Sequence, residues 1–175
     1  MKRSVTFILV IMTTVLSGFS QFSYSADGRI FFEGSIVEAT CRFTNQLHVQ
    51  MQNTPAESFA KPGDSGKTVP FSIQLTECPE INKTASVKFQ AIPNPENPQL
   101  IQTSGTAEGV AIELIDAVNQ QRLALQGGET NASSLTALKS NLTNSLNFEA
   151  RYVSTSPKVK AGSASGFADF VITYY

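Results

Sequence analysis

The chain has 175 residues; with an amino-terminal export segment of 25 set aside, 150 remain, enough for one domain and too few for a two-domain enzyme. Hydrophobic side chains make up 41% and charged ones 15%, which supplies one core and excludes general disorder. Without Lys2 and Arg3 of that segment, 11 basic side chains stand against 14 acidic ones, a net of −3, opposite in sign to what nucleic acid or an anionic membrane surface attracts.

Lys2 and Arg3 precede the apolar run Val5 to Leu16, VTFILVIMTTVL, which has the charge and length of a secretory signal and is too short to span a bilayer. Ser23 and Ser25 fit the small-residue cleavage positions, which makes Ala26 the mature start; cleavage after Ala26 would put bulky Tyr24 in a small-residue place. An uncleaved anchor is the other reading of this segment, but no second apolar stretch of spanning length follows. The chain is therefore expected to leave the cytoplasm. Cys41 and Cys78, its two cysteines, then meet an oxidising compartment and are expected to form one disulfide. Closing that loop of 38 residues constrains the unfolded chain by about 4 kcal/mol in the chain-entropy account. Two cysteines and the single His48 are too few ligands for zinc, so neither metal nor other cofactor is expected.

In chain order, Leu47, Val49 and Met51 alternate with His48, Gln50 and Gln52, the period of a strand with one buried face. Pro62, Gly63, Asp64, Ser65 and Gly66 mark a turn. Val69, Phe71, Ile73 and Leu75 then alternate with polar residues up to Cys78. Further strands are expected at Val87, Phe89 and Ala91, at Val110, Ile112 and Leu114, and at Leu146, Phe148, Ala150 and Tyr152, the last set facing away from Asn147, Glu149 and Arg151. Turn formers at Pro93, Asn94, Pro95 and Pro98, and at Gly127 and Gly128, separate these runs. Leu135, Leu138 and Leu142 have helical spacing, and Ser133 to Asn144 reads as a loop with room for one helical turn. Six or seven short strands without helical alternation predict an all-β, two-sheet sandwich of immunoglobulin type, lacking the tryptophan of antibody domains.

The closing stretch GSASGFADFVITYY places Gly162, Ala164, Gly166, Ala168, Phe170, Ile172 and Tyr174 on one face of an expected strand. Such a strand needs neighbours on both sides; no sequence remains to supply one, so one edge is expected to stay open. The amino-terminal arm mirrors this. Ala26, Gly28, Ile30, Phe32 and Gly34 alternate with Asp27, Arg29, Phe31 and Glu33 ahead of Cys41. Nine or ten extended residues at about 3.3 Å each reach roughly 30 Å, the length of another sandwich. The arm can pair within its own domain or fill the open edge of a second copy.

The arm ADGRIFFEG running into GSIVEATC, the stretch PGDSGKTVPFSIQLTEC ending at Cys78, the VAIELID and LNFEARY runs, and the terminal alternation with penultimate Tyr174 and with Gly162 fourteenth from the end together resemble the pilins of bacterial chaperone-usher fimbriae, over the whole mature chain. The resemblance implies an incomplete immunoglobulin-like β-sandwich lacking its final strand and completed by donor-strand complementation. It divides the chain into a signal peptide (1–25), a donor-strand arm leading into the first strand (26–40) and a pilin domain (41–175). It implies a periplasmic chaperone that lends a strand and holds the terminal carboxylate of Tyr175, with Gly162, Ala164, Gly166, Ala168, Phe170, Ile172 and Tyr174 along the contact. At an outer-membrane usher, the arm of the next pilin subunit replaces the chaperone strand, and the product is a fimbria on the bacterial surface that contributes to cell adhesion. Ala26, Gly28, Ile30, Phe32 and Gly34 are then the inward positions of the donor strand, with Gly28 in the family's glycine place. Burial of Ile30 and Phe32 adds about 1.5–3 kcal/mol each, and Gly28→Val is expected to block polymer growth while leaving the chaperone complex intact. The short arm resembles that of a minor or adaptor subunit, and the chain has no room for the extra domain of a tip adhesin.

A monomeric secreted lectin-like module of the same fold is the alternative, and it predicts a stable monomer indifferent to any chaperone. An exported hydrolase would need His48, which falls on the polar side of its expected strand, and no serine motif accompanies it. Glu113 with Asp116, and Glu77 with Glu80, could be put forward as carboxylate pairs for glycoside cleavage; all four are read as surface charge. No catalytic residue is assigned.

Overall fold

A computed structural model describes residues 31, 33–34, 40–43, 47–79, 83–125 and 132–175. The chain divides into two units, Met1–Val37 and Glu38–Tyr175. The signal segment and Ala26, Gly28, Ile30 and Phe32 of the arm lie outside the described residues, whereas Phe31, Glu33 and Gly34 of the first unit are exposed.

The described residues of the second unit form β1 (Arg42–Phe43), β2 (Val69–Thr76), β3 (Thr84–Gln90), β4 (Ile101–Gln102), β5 (Val110–Asp116), β6 (Thr136–Ala137), β7 (Asn144–Ser154) and β8 (Asp169–Tyr174), with a 3-10 turn at Ala56–Ser58. They assemble into two antiparallel sheets, in the orders β1-β2-β7-β5-β4 and β6-β3-β8. Period-two patterning sets the register, since a slip by one residue would turn every apolar side chain outward. Phe71 pairs with Phe148 and Ile73 with Leu146 across β2 and β7, and Leu114 pairs with Ala150 across β5 and β7. These residues face Ala85, Val87 and Phe89 of the second sheet in one core. Phe89 meets Phe148 edge to face at 5.1 Å between centroids, a contact that joins the two sheets.

The turns follow from side chains that accept backbone N–H groups. Asp64 Oδ2 accepts from Ala60 and Lys61 at 2.8 and 2.9 Å, and Gly63 takes a φ of 94° that a side chain would strain. Asn94 Oδ1 accepts from Glu96 and Asn97, both at 3.0 Å. The loop that Asn94 folds brings Leu100 over the outer face of the first sheet, where it packs with Ala111 and Val153. All seven residues of β5 are consequently buried, on both faces.

Three expected elements differ. Leu47 to Met51 makes no backbone pairing with any other described residue and is not a strand; Met51 packs on the core while Leu47 is exposed. The leucines of Ser133 to Asn144 form no helical face. Leu135 and Leu142 are exposed and only Leu138 packs on the core, because buried Asn144 ties the loop shut through Lys139 and the Leu142 carbonyl. The terminal strand is also shorter than expected. Gly162, Ala164, Gly166 and Ala168 precede β8 instead of extending it. This segment pairs across to residues 104–108, with Ser104 and Ser165 exchanging backbone bonds of 2.7 and 2.8 Å and Glu108 bridging Lys160. The cause is steric: the backbone of Thr106 and Ala107 approaches Gly162 so closely that a side chain there would run into it.

Candidate functional site

The second sheet ends at β8. Tyr175 and Thr84 exchange both backbone hydrogen bonds, at 2.9 and 3.1 Å, and the register runs unbroken from Ala85 opposite Tyr174 to Gln90 opposite Asp169. Doubly bonded pairs alternate along an antiparallel ladder, so Asp169, Val171 and Thr173 turn their N–H and C=O groups toward β3. Phe170, Ile172 and Tyr174 turn theirs the other way, where β8 has no strand partner among the described residues. The same three residues send their side chains inward, and all three are only half-buried against the core. Among the described residues, one strip therefore carries both backbone groups without a strand partner and half-buried apolar side chains.

The facing lip belongs to the first sheet. Phe43 of β1 lies opposite Leu75, which is fully buried, and directly opposed residues share a face. Phe43 therefore also points inward, yet it stays 46% exposed because nothing described roofs the seam. Its ring meets Phe170 at 5.8 Å, edge to face. Phe170 continues to Phe89 at 6.4 Å, Phe89 to Phe148 at 5.1 Å, and Phe148 to Phe71 at 5.5 Å. A line of five rings thus runs from the seam into the core.

At the far end of the seam, Cys41 and Cys78 are joined, as expected, across a sequence separation of 37. The bond ties the start of β1 to the chain just beyond β2, and Arg42 and Glu77 add an exposed ion pair at 2.9 Å. Beside it, Tyr174 Oη is buried close to the Cys41 backbone, with no well-formed hydrogen bond to any described residue. Burial pushes its pKa above 10.0, with the nearby Cys41 backbone opposing the shift. A cavity of about 10 Å³, lined in part by Cys41, Cys78 and Tyr174, adjoins it, room for a single water.

Of the sequence-derived positions, Phe170, Ile172 and Tyr174 come together on the seam, and Tyr175 is exposed at the end of the β3 ladder. Gly166 sits against Ile101 and Ile112 at one end of the core. Tyr152 donates to the Ala164 carbonyl at 2.6 Å, which anchors the approach to β8, and burial raises its pKa.

Two carboxylates read as surface charge are in fact buried. Glu113 is 2% exposed and Asp116 1%. Glu113 accepts from Arg122 Nε on one oxygen and from Arg151 Nε at 2.6 Å on the other, and Arg122 also reaches Gln99 Oε1 at 2.8 Å. Asp116 accepts from the N–H groups of Val118 at 2.8 Å and Ser134 at 2.6 Å. Both are spent on closing turns against β5. One signal was in the sequence, an acid at the centre of the apolar run VAIELID; that Arg151 lies opposite it is supplied by the pairing of β5 with β7.

A two-sheet antiparallel sandwich of this kind defines a protein of the immunoglobulin-like class. A sequence model described as "Fimbrial protein" matches residues 30–175. The fimbrial subunit type 1 of Salmonella typhimurium is 32% identical over 84% of this chain and 82% of its own length. Among solved structures, the Burkholderia pseudomallei antigen and type I fimbria protein superposes with a TM-score of 0.58 at 28% identity, covering 78% of this chain and 90% of that one. A subunit from a chaperone-usher pilus structure superposes at 0.64 and 20% identity, covering 89% and 100%. The chain belongs to the fimbrial protein family. As a member it is a structural subunit of a pilus, exported to the periplasm and built into a fimbria on the bacterial surface.

Proposed function

We propose that this subunit is an incomplete sandwich that a periplasmic chaperone first completes with a lent strand, and that the arm of a neighbouring subunit then completes permanently at an outer-membrane usher. The observation that supports this reading is the outer edge of β8, where the backbone groups of Phe170, Ile172 and Tyr174, without a strand partner among the described residues, coincide with half-buried side chains of the core. A strand laid along that edge satisfies the backbone groups and buries the side chains in one step. The donor positions are Ala26, Gly28, Ile30, Phe32 and Gly34. Tyr175 offers its carboxylate to the chaperone, and the segment from Gly162 to Ala168 forms the approach to the acceptor edge. Residues 1–25 act as the export signal, 26–40 as the arm and 41–175 as the body. The role is mechanical and adhesive, not catalytic.

Expression in the periplasm with and without the cognate chaperone, followed by gel electrophoresis without boiling, tests this. Soluble subunit only in the chaperone's presence, and ladders of heat-sensitive oligomers, are the expected results. A tightly folded monomer indifferent to any helper would overturn the reading.

A further inference from the structure

Resting on the strand-exchange reading above, we propose that the solvent face of β8 selects the register of the arm it accepts: when the arm of a second copy lies along that edge, Arg29 pairs with Asp169 and Phe31 with Phe167. Side chains alternate between faces along a strand. With Ala168, Phe170, Ile172 and Tyr174 on the core, Asp169 and Val171 face outward, and Phe167, 67% exposed, continues their row just ahead of β8. Asp169 lies opposite Gln90 on β3 and Val171 opposite Lys88. Asp169 is exposed and makes no ion pair with any described residue, its diagonal neighbour Lys88 included. The outward row beside the open edge is therefore apolar, acidic, apolar.

The arm offers a row to match. Its inward set leaves Asp27, Arg29, Phe31 and Glu33 on the outer side, and Phe31 is 76% exposed in the free chain. Directly opposed residues share a face, with Cβ atoms about 5 Å apart. Placing Asp27 or Glu33 opposite Asp169 sets like charges together, and placing Phe31 there leaves the carboxylate uncompensated; Arg29 supplies the opposite charge. With the strands antiparallel, as in every strand pairing described for the body, Arg29 on Asp169 carries Phe31 onto Phe167, Asp27 onto Val171 and Glu33 onto Ser165. A slip of two residues in either direction loses the ion pair and the ring pair together, and a slip of one turns the inward set outward. Both contacts are exposed and individually small. The inward side chains supply the affinity, and the outer row chooses between registers and between arms.

The test refolds the processed, chaperone-free chain from denaturant in the presence of labelled peptides of residues 26–36 and measures the binding of each. At low salt the Arg29→Glu peptide should bind the unaltered subunit about three- to tenfold more weakly than the natural peptide, and the Asp169→Arg subunit should reverse that order. Glu33→Arg, opposite Ser165, should show no such dependence on Asp169. Phe31→Ala should weaken binding to the unaltered subunit about two- to tenfold, lose most of that effect on the Phe167→Ala subunit and keep it on Val171→Ala. In about 1 M salt the Arg29→Glu penalty should shrink while the Phe31→Ala penalty persists. Binding of the Arg29→Glu peptide reports that the Asp169→Arg subunit is folded, and binding of the natural peptide reports it for the other two. If the natural and Arg29→Glu peptides keep the same ratio on both subunits, or if the Phe31→Ala penalty survives Phe167→Ala, the outer row does not set the register. Failure of the natural peptide to bind the unaltered subunit is a different result and removes the strand-exchange reading along with this one.

Discussion

Ile172 gives the sharpest test of the seam. It points inward from β8 and is half-buried in the uncovered chain. Replacing it with alanine removes three methyl or methylene groups, about 2.4 kcal/mol at full burial. Roughly half of that burial already exists before any strand arrives, so covering the seam is weakened by about 1.2 kcal/mol, or about sevenfold in affinity. Any cavity left beneath the incoming strand adds to the loss. Val171, its neighbour, faces outward and is 53% exposed, so Val171→Ala should change the same affinity by less than about twofold. Direct binding of the labelled arm peptide to each chaperone-free subunit, refolded from denaturant in its presence, measures both. Equal losses for the two substitutions, or a larger loss at Val171, would refute the assignment of faces on which the acceptor edge depends.

Three further outcomes follow from the scaffold. Glu113→Ala should lower the urea-unfolding free energy of the arm-complemented subunit by about 2–4 kcal/mol, below the fully buried limit because Arg122 and Arg151 are 39% and 33% exposed and regain water. Glu113→Gln should cost less, and a loss under about 1 kcal/mol for the alanine variant would show that the clasp contributes only as a surface pair does. Tyr152 holds its proton more tightly in the fold than the ordinary value of 10.0 allows, so its contribution is present below about pH 10 and disappears as pH rises through the raised pKa. Melting temperatures in an alkaline series should fall less steeply for Tyr152→Phe, and identical slopes would contradict this. Gly162→Ala should drive a methyl group into the Thr106–Ala107 backbone, costing about 1–3 kcal/mol and speeding amide exchange at Ala107 and Ser165; unchanged exchange there would count against the close approach.

Strands β2, β3, β5 and β7 were legible because each alternates and each meets a partner that alternates in register, as Phe71 with Phe148 shows. The misreadings share a cause in contacts distant along the chain. Leu47 to Met51 has the period of a strand but finds no described partner, and period alone does not create one. The small residues from Gly162 to Ala168 look like a continuation of β8, yet their smallness serves a close backbone crossing with residues 104–108. Glu113 and Asp116 look solvated until the loop through Leu100 and the turn at Arg122 cover β5. At the seam, the inward set Phe170, Ile172 and Tyr174 was readable from alternation. The opposing ring of Phe43 was not, since a two-residue strand leaves no period to detect.

The chain contains no tryptophan and four tyrosines. Tyr152, Tyr174 and Tyr175 all stand on β8, beside it or against its approach, and Tyr24 falls in the export segment, while residues 26–37 carry neither chromophore. Tyrosine emission from the processed polypeptide therefore comes from β8, its end and its approach, and the arm, with phenylalanine as its sole aromatic type, adds no tyrosine signal of its own. Assembly of fibres from this chain can be watched as it happens, without attaching a dye.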